Sequence, residues 1–204
     1  MGQIVRILTK DEKYVPLNDI RNYLYLKNLK CSLKLEFGTE AQWKEVSVQC
    51  DGTEIFFIER DNKKDDPIAK KELKDFKKIL KKAAPTSSAE WLQDYLDEIN
   101  VIYAIEIFPE ISQFSGFEVL SAIQSFIFKQ LSSAIIQSNN EGFTNEDGFH
   151  ILWQFSSKKI HGKCYSAVLD RGGTWVPFIM DLNNEDQVLD FQDGLIPNDA
   201  VLLN

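Results

Sequence analysis

The sequence is poor in the residue types from which metal sites and nucleophilic active sites are most often built. Its 204 residues include two histidines and three cysteines. Cys31, Cys50 and Cys164 have no C-x-x-C spacing, and three scattered cysteines are too few for a disulfide framework. We therefore expect small buried thiols in a reducing cytosol, no metal and no cofactor.

Phosphate-binding loops and long apolar runs are also missing. Neither G-x-x-x-x-G-K-[ST] nor G-x-G-x-x-G occurs, and no stretch approaches the ~20 apolar residues of a membrane helix. The segment 1–8 has neither the apolar core nor the small-residue cleavage site of a signal peptide. These absences predict a cytoplasmic protein that has no membrane partner.

Net positive charge is confined to one segment of the chain. Residues 1–60 have a net charge of 0, residues 61–84 of +4 and residues 85–204 of −12, within an overall charge of −8. An acidic C-terminal half repels phosphate backbones, so we expect no nucleic acid partner. The lysines of segment 70–82 are interpreted as a solvated helix face, and the alternatives are a contact for an acidic protein partner, including the acidic half of this chain, or for nucleic acid.

The order of predicted elements runs twice along the chain. Each pass reads strand, helix, strand, hairpin and a further helical segment, from apolar spacings of two or of three to four residues. Asp51-Gly52 and the Gly-rich segment 170–173 predict the two hairpin turns, because such residues tolerate positive φ. The fold class is therefore α+β, with antiparallel or mixed sheets covered by helices and two similar β-α-β-β(-α) halves, for which a ferredoxin-like arrangement is the nearest analogy.

Local signals predict where several elements begin and end. Asp66-Pro67 is typical of a helix start, whereas Asn18 predicts the N-cap of a helix over 19–29. The proline- and serine-containing segment 84–88 predicts a boundary between domains 1–84 and 85–204, which could also pack as one globular unit.

Few combinations of residues suggest chemistry. Cys164, His161 and Asp170 can be written as a nucleophile–base–acid set, but the pattern is no better than chance, and no catalytic residue is predicted. Segment 139–148 is rich in side-chain oxygens but lacks the spacing of a calcium loop, so we expect a solvated connection there.

Seventeen acidic residues after position 84 and many aromatic residues favour binding over catalysis. The sequence predicts a non-catalytic interaction or regulatory protein, of adaptor or immunity type in a bacterial cytosol, that binds a protein partner through its acidic C-terminal half. The alternative is a small-ligand binder or enzyme with a pocket between the halves, and a homodimer is compatible with either. The candidate ligand-binding residues share a polar side chain near an apolar strand or a turn: Glu106, His150, Tyr165, Asp170 and Arg171.

Overall fold

The computed structural model describes residues 3–139, 141–153 and 161–203, which form an α+β structure. Its strands are β1 (Gln3–Thr9), β2 (Ser32–Gly38), β3 (Trp43–Cys50), β4 (Thr53–Asn62), β5 (Val101–Ile107), β6 (Ala134–Ser138), β7 (Gly142–Thr144), β8 (His150–Leu152), β9 (Lys163–Leu169), β10 (Trp175–Asp181) and β11 (Val201–Leu202). Its α-helices are α1 (Leu17–Leu26), α2 (Pro67–Leu80), α3 (Thr86–Glu98), α4 (Gly116–Gln130) and α5 (Glu185–Gln192), and residues Pro109–Ser112 form a 3-10 turn.

Turn and capping chemistry explains several boundaries. Asp51 and Gly52 have φ values of 47° and 79°, so the β3–β4 hairpin has the predicted turn. The Asp66 carboxylate accepts hydrogen bonds from the Ile68 and Ala69 backbone N–H groups, which confirms the predicted start of α2 at Pro67. The prediction for α1 was wrong, because that helix begins at Leu17, before Asn18, and has no side-chain cap.

The chain divides into two compact units, each built from two stretches. The first unit comprises Met1–Ala69 and Ile99–Ala134, and the second comprises Lys70–Glu98 and Ile135–Asn204. These units differ from the predicted consecutive halves 1–84 and 85–204. Three of the seventeen late acidic residues, Glu106, Glu110 and Glu118, consequently belong to the first unit.

The first unit contains antiparallel strands in the order β1-β5-β4-β3-β2. Strand β5 is an inner strand, paired on both sides, and its nearly continuous apolar sequence is typical of that position. The segment between β1 and α1 is attached to this sheet by two buried side chains. Trp43 Nε1 donates to the Val15 carbonyl over 2.7 Å, and Arg60 Nη2 donates to the Glu12 carbonyl over 2.8 Å.

Arg60 is almost completely buried, with 3% of its surface exposed. Its guanidinium carbon lies 3.7 Å from the centre of the Tyr14 ring, and its Nε donates to the Tyr103 hydroxyl over 3.1 Å. Burial raises the pKa of Tyr103, an effect that the nearby Arg60 charge opposes. A buried cation therefore has polar and aromatic partners, as its desolvation requires.

The second unit has a different strand order, β6-β7-β8-β9-β10-β11. Its described strand pairs are antiparallel except for β8 with β9, which run parallel. Because the two orders differ, the repeated order of elements does not produce the same strand arrangement twice. A ferredoxin-like arrangement of each half is not confirmed.

Segment 139–148 is only in part the solvated connection that its composition predicted, because residues 142–145 are buried whereas Glu146 and Asp147 are exposed. Phe143 is 1% exposed within β7, and its ring packs edge-on against Phe76 with the centroids 5.6 Å apart. Asn145 is fully buried, and its side-chain oxygen accepts hydrogen bonds from the Asp147 and Phe149 backbone N–H groups. The buried Asn145 side chain thus shapes a turn whose next two residues, Glu146 and Asp147, are exposed.

Within the described ranges, no helix is long and apolar enough to cross a lipid bilayer.

Candidate functional site

A hairpin in the second unit forms one side of the candidate site. Strands β9 and β10 are joined through residues 170–174, and the Asp170 side chain accepts hydrogen bonds from the Gly172 and Thr174 backbone N–H groups, both over 2.8 Å. Gly173 has a φ of 80°, which explains a glycine at that position. The predicted second hairpin is therefore confirmed, and it presents the adjacent Arg171 in an exposed position.

Helix α5 and the segment after it form the opposite side. The Asn184 side chain caps α5 by accepting hydrogen bonds from the Asp186 and Gln187 backbone N–H groups. At the other end Gly194 has a φ of 77°, and the Leu195 N–H donates to the Asp190 carbonyl over 2.8 Å. This reversal fixes Leu195 close to the last turn of the helix.

Internal packing holds the hairpin and α5 together. Phe191 of α5 and Phe178 of β10 are fully buried, and their ring centroids are 6.2 Å apart. Cys164, Val168 and Met180 belong to the same buried cluster. These buried aromatic and aliphatic side chains hold α5 against the hairpin and so fix the position of the surface residues on both elements.

Between these two sides lies a cleft of about 460 Å³, which we call the hairpin cleft. Its lining combines apolar and charged side chains from both sides: Val168, Leu169, Asp170, Arg171, Val176, Asp190, Gly194, Leu195, Ile196 and Asn198. Val168 and Val176 are cross-strand partners on β9 and β10.

The rim of the hairpin cleft is apolar and acidic at once. Leu195 is 55% exposed and Ile196 is 39% exposed, although both are large aliphatic residues. Asp190 is half-buried beside them. Segment 161–203, which supplies the whole lining, has seven acidic and two basic residues. The cleft can therefore accept a group with an apolar part and a positive charge.

The five predicted ligand-binding residues are only partly brought together. Asp170 and Arg171 line the hairpin cleft. Tyr165 lies on the same hairpin, but the alternation along β9 places it on the opposite face from Val168, next to Ile179 and exposed over 56% of its surface. Glu106 is exposed on β5 in the first unit, beside a separate depression lined by Phe108 and Phe117.

His150, the remaining predicted residue, is shielded instead of exposed to a ligand. Its ring packs edge-on against Trp153 with centroids 4.5 Å apart, and its Nδ1 atom is buried without a hydrogen-bond partner among the described residues. Burial lowers the pKa of His150 to about 4. The imidazole is therefore neutral at pH 7 and belongs to the interior of the second unit.

The nominal nucleophile–base–acid set is not formed. Cys164 is buried in β9, and burial raises the pKa of its thiol to about 11. His161 is exposed and its Nδ1 atom lies 2.7 Å from the Asn183 side-chain oxygen, while the Asp170 carboxylate is engaged in the hairpin turn. A thiol with a raised pKa and no adjacent base is a poor nucleophile. Among the described residues, no group of three or more His, Cys, Asp or Glu side chains is placed to hold a metal ion.

The lysine-rich segment is a solvated helix face with an apolar underside. Leu73, Phe76 and Leu80 of α2 are buried, as their spacing predicted. Lys77 forms a 2.6 Å ion pair with Asp97 of α3, so part of this positive charge faces an acidic residue of the same unit. A contact of the other lysines with an acidic protein surface stays a prediction.

Sequence reasoning missed the apolar members of the hairpin cleft. Leu195 and Ile196 follow a short acidic helix and carry no periodic pattern of their own. The sequence does contain one signal for them: the aliphatic pair lies between Gly194 and Pro197, and both of these residue types end helices. A segment outside any helix or strand cannot bury its apolar side chains within a regular element, so these two side chains could have been predicted to be exposed.

The chain matches no protein-family model, no curated protein and no solved structure.

Proposed function

We propose that the protein is a non-catalytic interaction or regulatory protein whose hairpin cleft binds a basic, amphipathic segment of a partner protein. The observation that supports this proposal most directly is the exposure of Leu195 and Ile196 beside Asp190. Large aliphatic groups on an acidic rim are suited to a partner that supplies apolar contacts and cations together.

Charge complementarity determines the kind of partner. Segment 161–203 has a net charge of −5, from seven acidic and two basic residues. This charge attracts basic segments and repels acidic ones, mainly by changing association rates at low salt. Lysine or arginine suits the cleft because the aliphatic stem can lie on Val176 and Leu195 while the charged end stays near Asp190.

The proposal is tested with the purified chain and three labelled peptides of equal length. One contains lysine and leucine on opposite helix faces, the second has glutamate for lysine, and the third has serine for leucine. Fluorescence anisotropy at low salt should show binding of the first peptide alone, weakened by added salt. Equal binding of the lysine–leucine and glutamate–leucine peptides would contradict the charge argument, and no binding of any peptide would contradict the site.

Two matched double variants locate the contact. Leu195→Ser with Asp190→Asn removes one apolar group and one charge from the hairpin cleft. Leu26→Ser with Asp19→Asn makes the same changes at exposed positions of α1 in the first unit. We expect at least a tenfold loss of peptide affinity, about 1.4 kcal/mol, in the first variant and no change in the second. Equal losses in both would place the contact elsewhere.

The small-ligand or enzyme alternative keeps a separate test. Thermal-shift screening against metabolites would support it if one compound raised the unfolding midpoint by mass action. A midpoint that stays constant across the screen, together with peptide binding, favours the interaction role.

Homodimerisation is also retained as a proposal. Helix α4 has an exposed Phe117, and the ring of its Phe126 stacks on Tyr23 of α1 at a centroid distance of 4.7 Å. Size-exclusion chromatography with light scattering separates monomer from dimer. A Phe117→Ser variant should shift that balance only if α4 is the contact.

A further inference from the structure

Two of the three cysteines occupy opposite positions at one end of the β2–β3 pair. The antiparallel register joins Ser32 to Gln49 and Leu33 to Val48. Continued by one residue, the same register joins Cys31 to Cys50. Residues directly opposite in antiparallel strands have Cα atoms about 4.5 or 5.5 Å apart, and both values lie within the range of ~4.4–6.8 Å found for disulfides.

The two thiols also share a face of the sheet. Cys50 alternates with Val48 and Val46, all three of which are buried on the core side. Cys31 stands in the same relation to Leu33, which is buried too. Cys31 is half-buried and Cys50 is 2% exposed, so a reagent in solution reaches Cys31 first.

We propose that Cys31 and Cys50, which are free thiols in this structure, form a cross-strand disulfide when the protein meets a low-molecular-weight disulfide as oxidant. The Cys31 thiolate attacks one sulfur of that oxidant, forms a mixed disulfide and releases one small thiol. The Cys50 thiolate then attacks the Cys31 sulfur, the protein disulfide forms, and the second small thiol leaves. The two protein thiols lose two protons and two electrons, and the oxidant is reduced to two thiols.

The structure favours closure over a lasting mixed disulfide. Strand β2 is the outer strand of the β1-β5-β4-β3-β2 order, and Cys31 lies just before its first residue, so the backbone there can adjust. Cβ atoms of opposed residues are about 4.5–5.5 Å apart, against ~3.5–4.5 Å in a disulfide, so an approach of roughly 1 Å is sufficient. The bond would attach the outer strand to β3.

Reactivity should depend strongly on pH. Burial, together with a smaller effect of the neighbouring Cys50, raises the pKa of the Cys31 thiol to about 11; burial also raises the pKa of Cys50. At pH 7 only about one Cys31 in 10,000 is then a thiolate, so closure is slow and its rate should rise about tenfold for each pH unit between 7 and 10.

The test uses the full chain incubated with oxidised glutathione at pH 8.5, blocked with iodoacetamide under denaturing conditions and digested with trypsin without reduction. Cleavage after lysine and arginine places Cys31 in peptide 31–34 and Cys50 in peptide 45–60. We expect the two peptides to be joined and to separate on reduction. Oxidised protein should also unfold at a higher temperature than reduced protein.

Three variants keep the proposal open to refutation. Cys164→Ser should still form the joined peptide, Cys50→Ser should stop at glutathione on Cys31, and Cys31→Ser should lose the difference in unfolding temperature. If Cys50→Ser does not fold, the Cys31→Ser variant provides the control by itself, because Cys31 is only half-buried and its replacement disturbs the core less. Stable glutathione on Cys31 of the unaltered chain, linkage to Cys164, or alkylation of both thiols after prolonged oxidation would each overturn the proposal.

Discussion

Replacing Asp170 separates a role in folding the hairpin from a role in binding. Its carboxylate accepts two backbone hydrogen bonds, from Gly172 and Thr174, both 2.8 Å long. Asp170→Ala removes both acceptors and leaves the two N–H groups to solvent. Asp170→Asn retains the Oδ1 acceptor and removes only the charge.

The structure sets the magnitude of the effect. Loss of a side-chain acceptor at a capped turn costs about 0.5–2 kcal/mol, and the exposure of Asp170 allows water to replace part of the lost bonding. We therefore expect Asp170→Ala to lower the free energy of unfolding by about 1 kcal/mol, or the midpoint by about 2–4 °C in a chain of this size. Asp170→Asn should cost less than about 0.5 kcal/mol, because the turn keeps its acceptor.

Urea unfolding and peptide anisotropy measure the two roles independently. Asp170→Asn should retain stability yet weaken binding of the lysine–leucine peptide about two- to fivefold, as expected for a surface charge pair worth up to about 1 kcal/mol. Equal destabilisation by Asn and Ala would refute the acceptor argument. An unchanged peptide affinity in Asp170→Asn would show that the Asp170 carboxylate does not contribute to the binding of cationic side chains in the hairpin cleft.

The remaining predictions concern the two interiors. Arg60→Met should lower the free energy of unfolding by about 2–4 kcal/mol in urea titrations, because it removes hydrogen bonds and a cation–π contact. A decrease below about 1 kcal/mol would contradict the conclusion that these contacts of Arg60 stabilise the first unit. Phe143→Ala should cost about 3–5 kcal/mol in the same assay, whereas a solvated loop would give almost no change. His150 should make the protein less stable in acid, because burial lowers its native pKa to about 4. Between pH 6.5 and 4 the unfolded chain binds a proton at this histidine that the native state does not bind. The free energy of unfolding should therefore fall by up to about 3 kcal/mol as the pH is lowered through this range. Unfolding measured at pH 7 and 4.5 should show this loss reduced in His150→Phe but not in His161→Ala, and an equal reduction in both would contradict the assignment to His150.

Much of the local structure could be predicted from residue patterns. The Asp51-Gly52 turn and the start of α2 after Asp66 were both confirmed, and the apolar run 101–107 forms the inner strand β5. Each depends on interactions within a few residues, or on an apolar run that has to be buried. Such preferences act wherever the segment lies in the fold.

The errors have one cause in common. Segment 139–148 looked solvated because it is polar, yet Phe143 packs on Phe76, which is distant in sequence. The candidate residues Glu106 and Asp170 looked like members of one acidic half, yet they belong to different compact units. Composition cannot show which distant segments share a core.

By itself, therefore, the sequence determined the α+β class, the hairpin turns and the acidity of segment 161–203. Only the tertiary structure decided that β1 pairs with β5, that Leu195 and Ile196 stand exposed beside Asp190, and that Ser32, the residue after Cys31, pairs with Gln49, the residue before Cys50. The physical reason is that turns and periodicity arise from local sterics and hydrogen bonding, whereas strand order and clefts depend on the burial of surfaces brought together from distant parts of the chain.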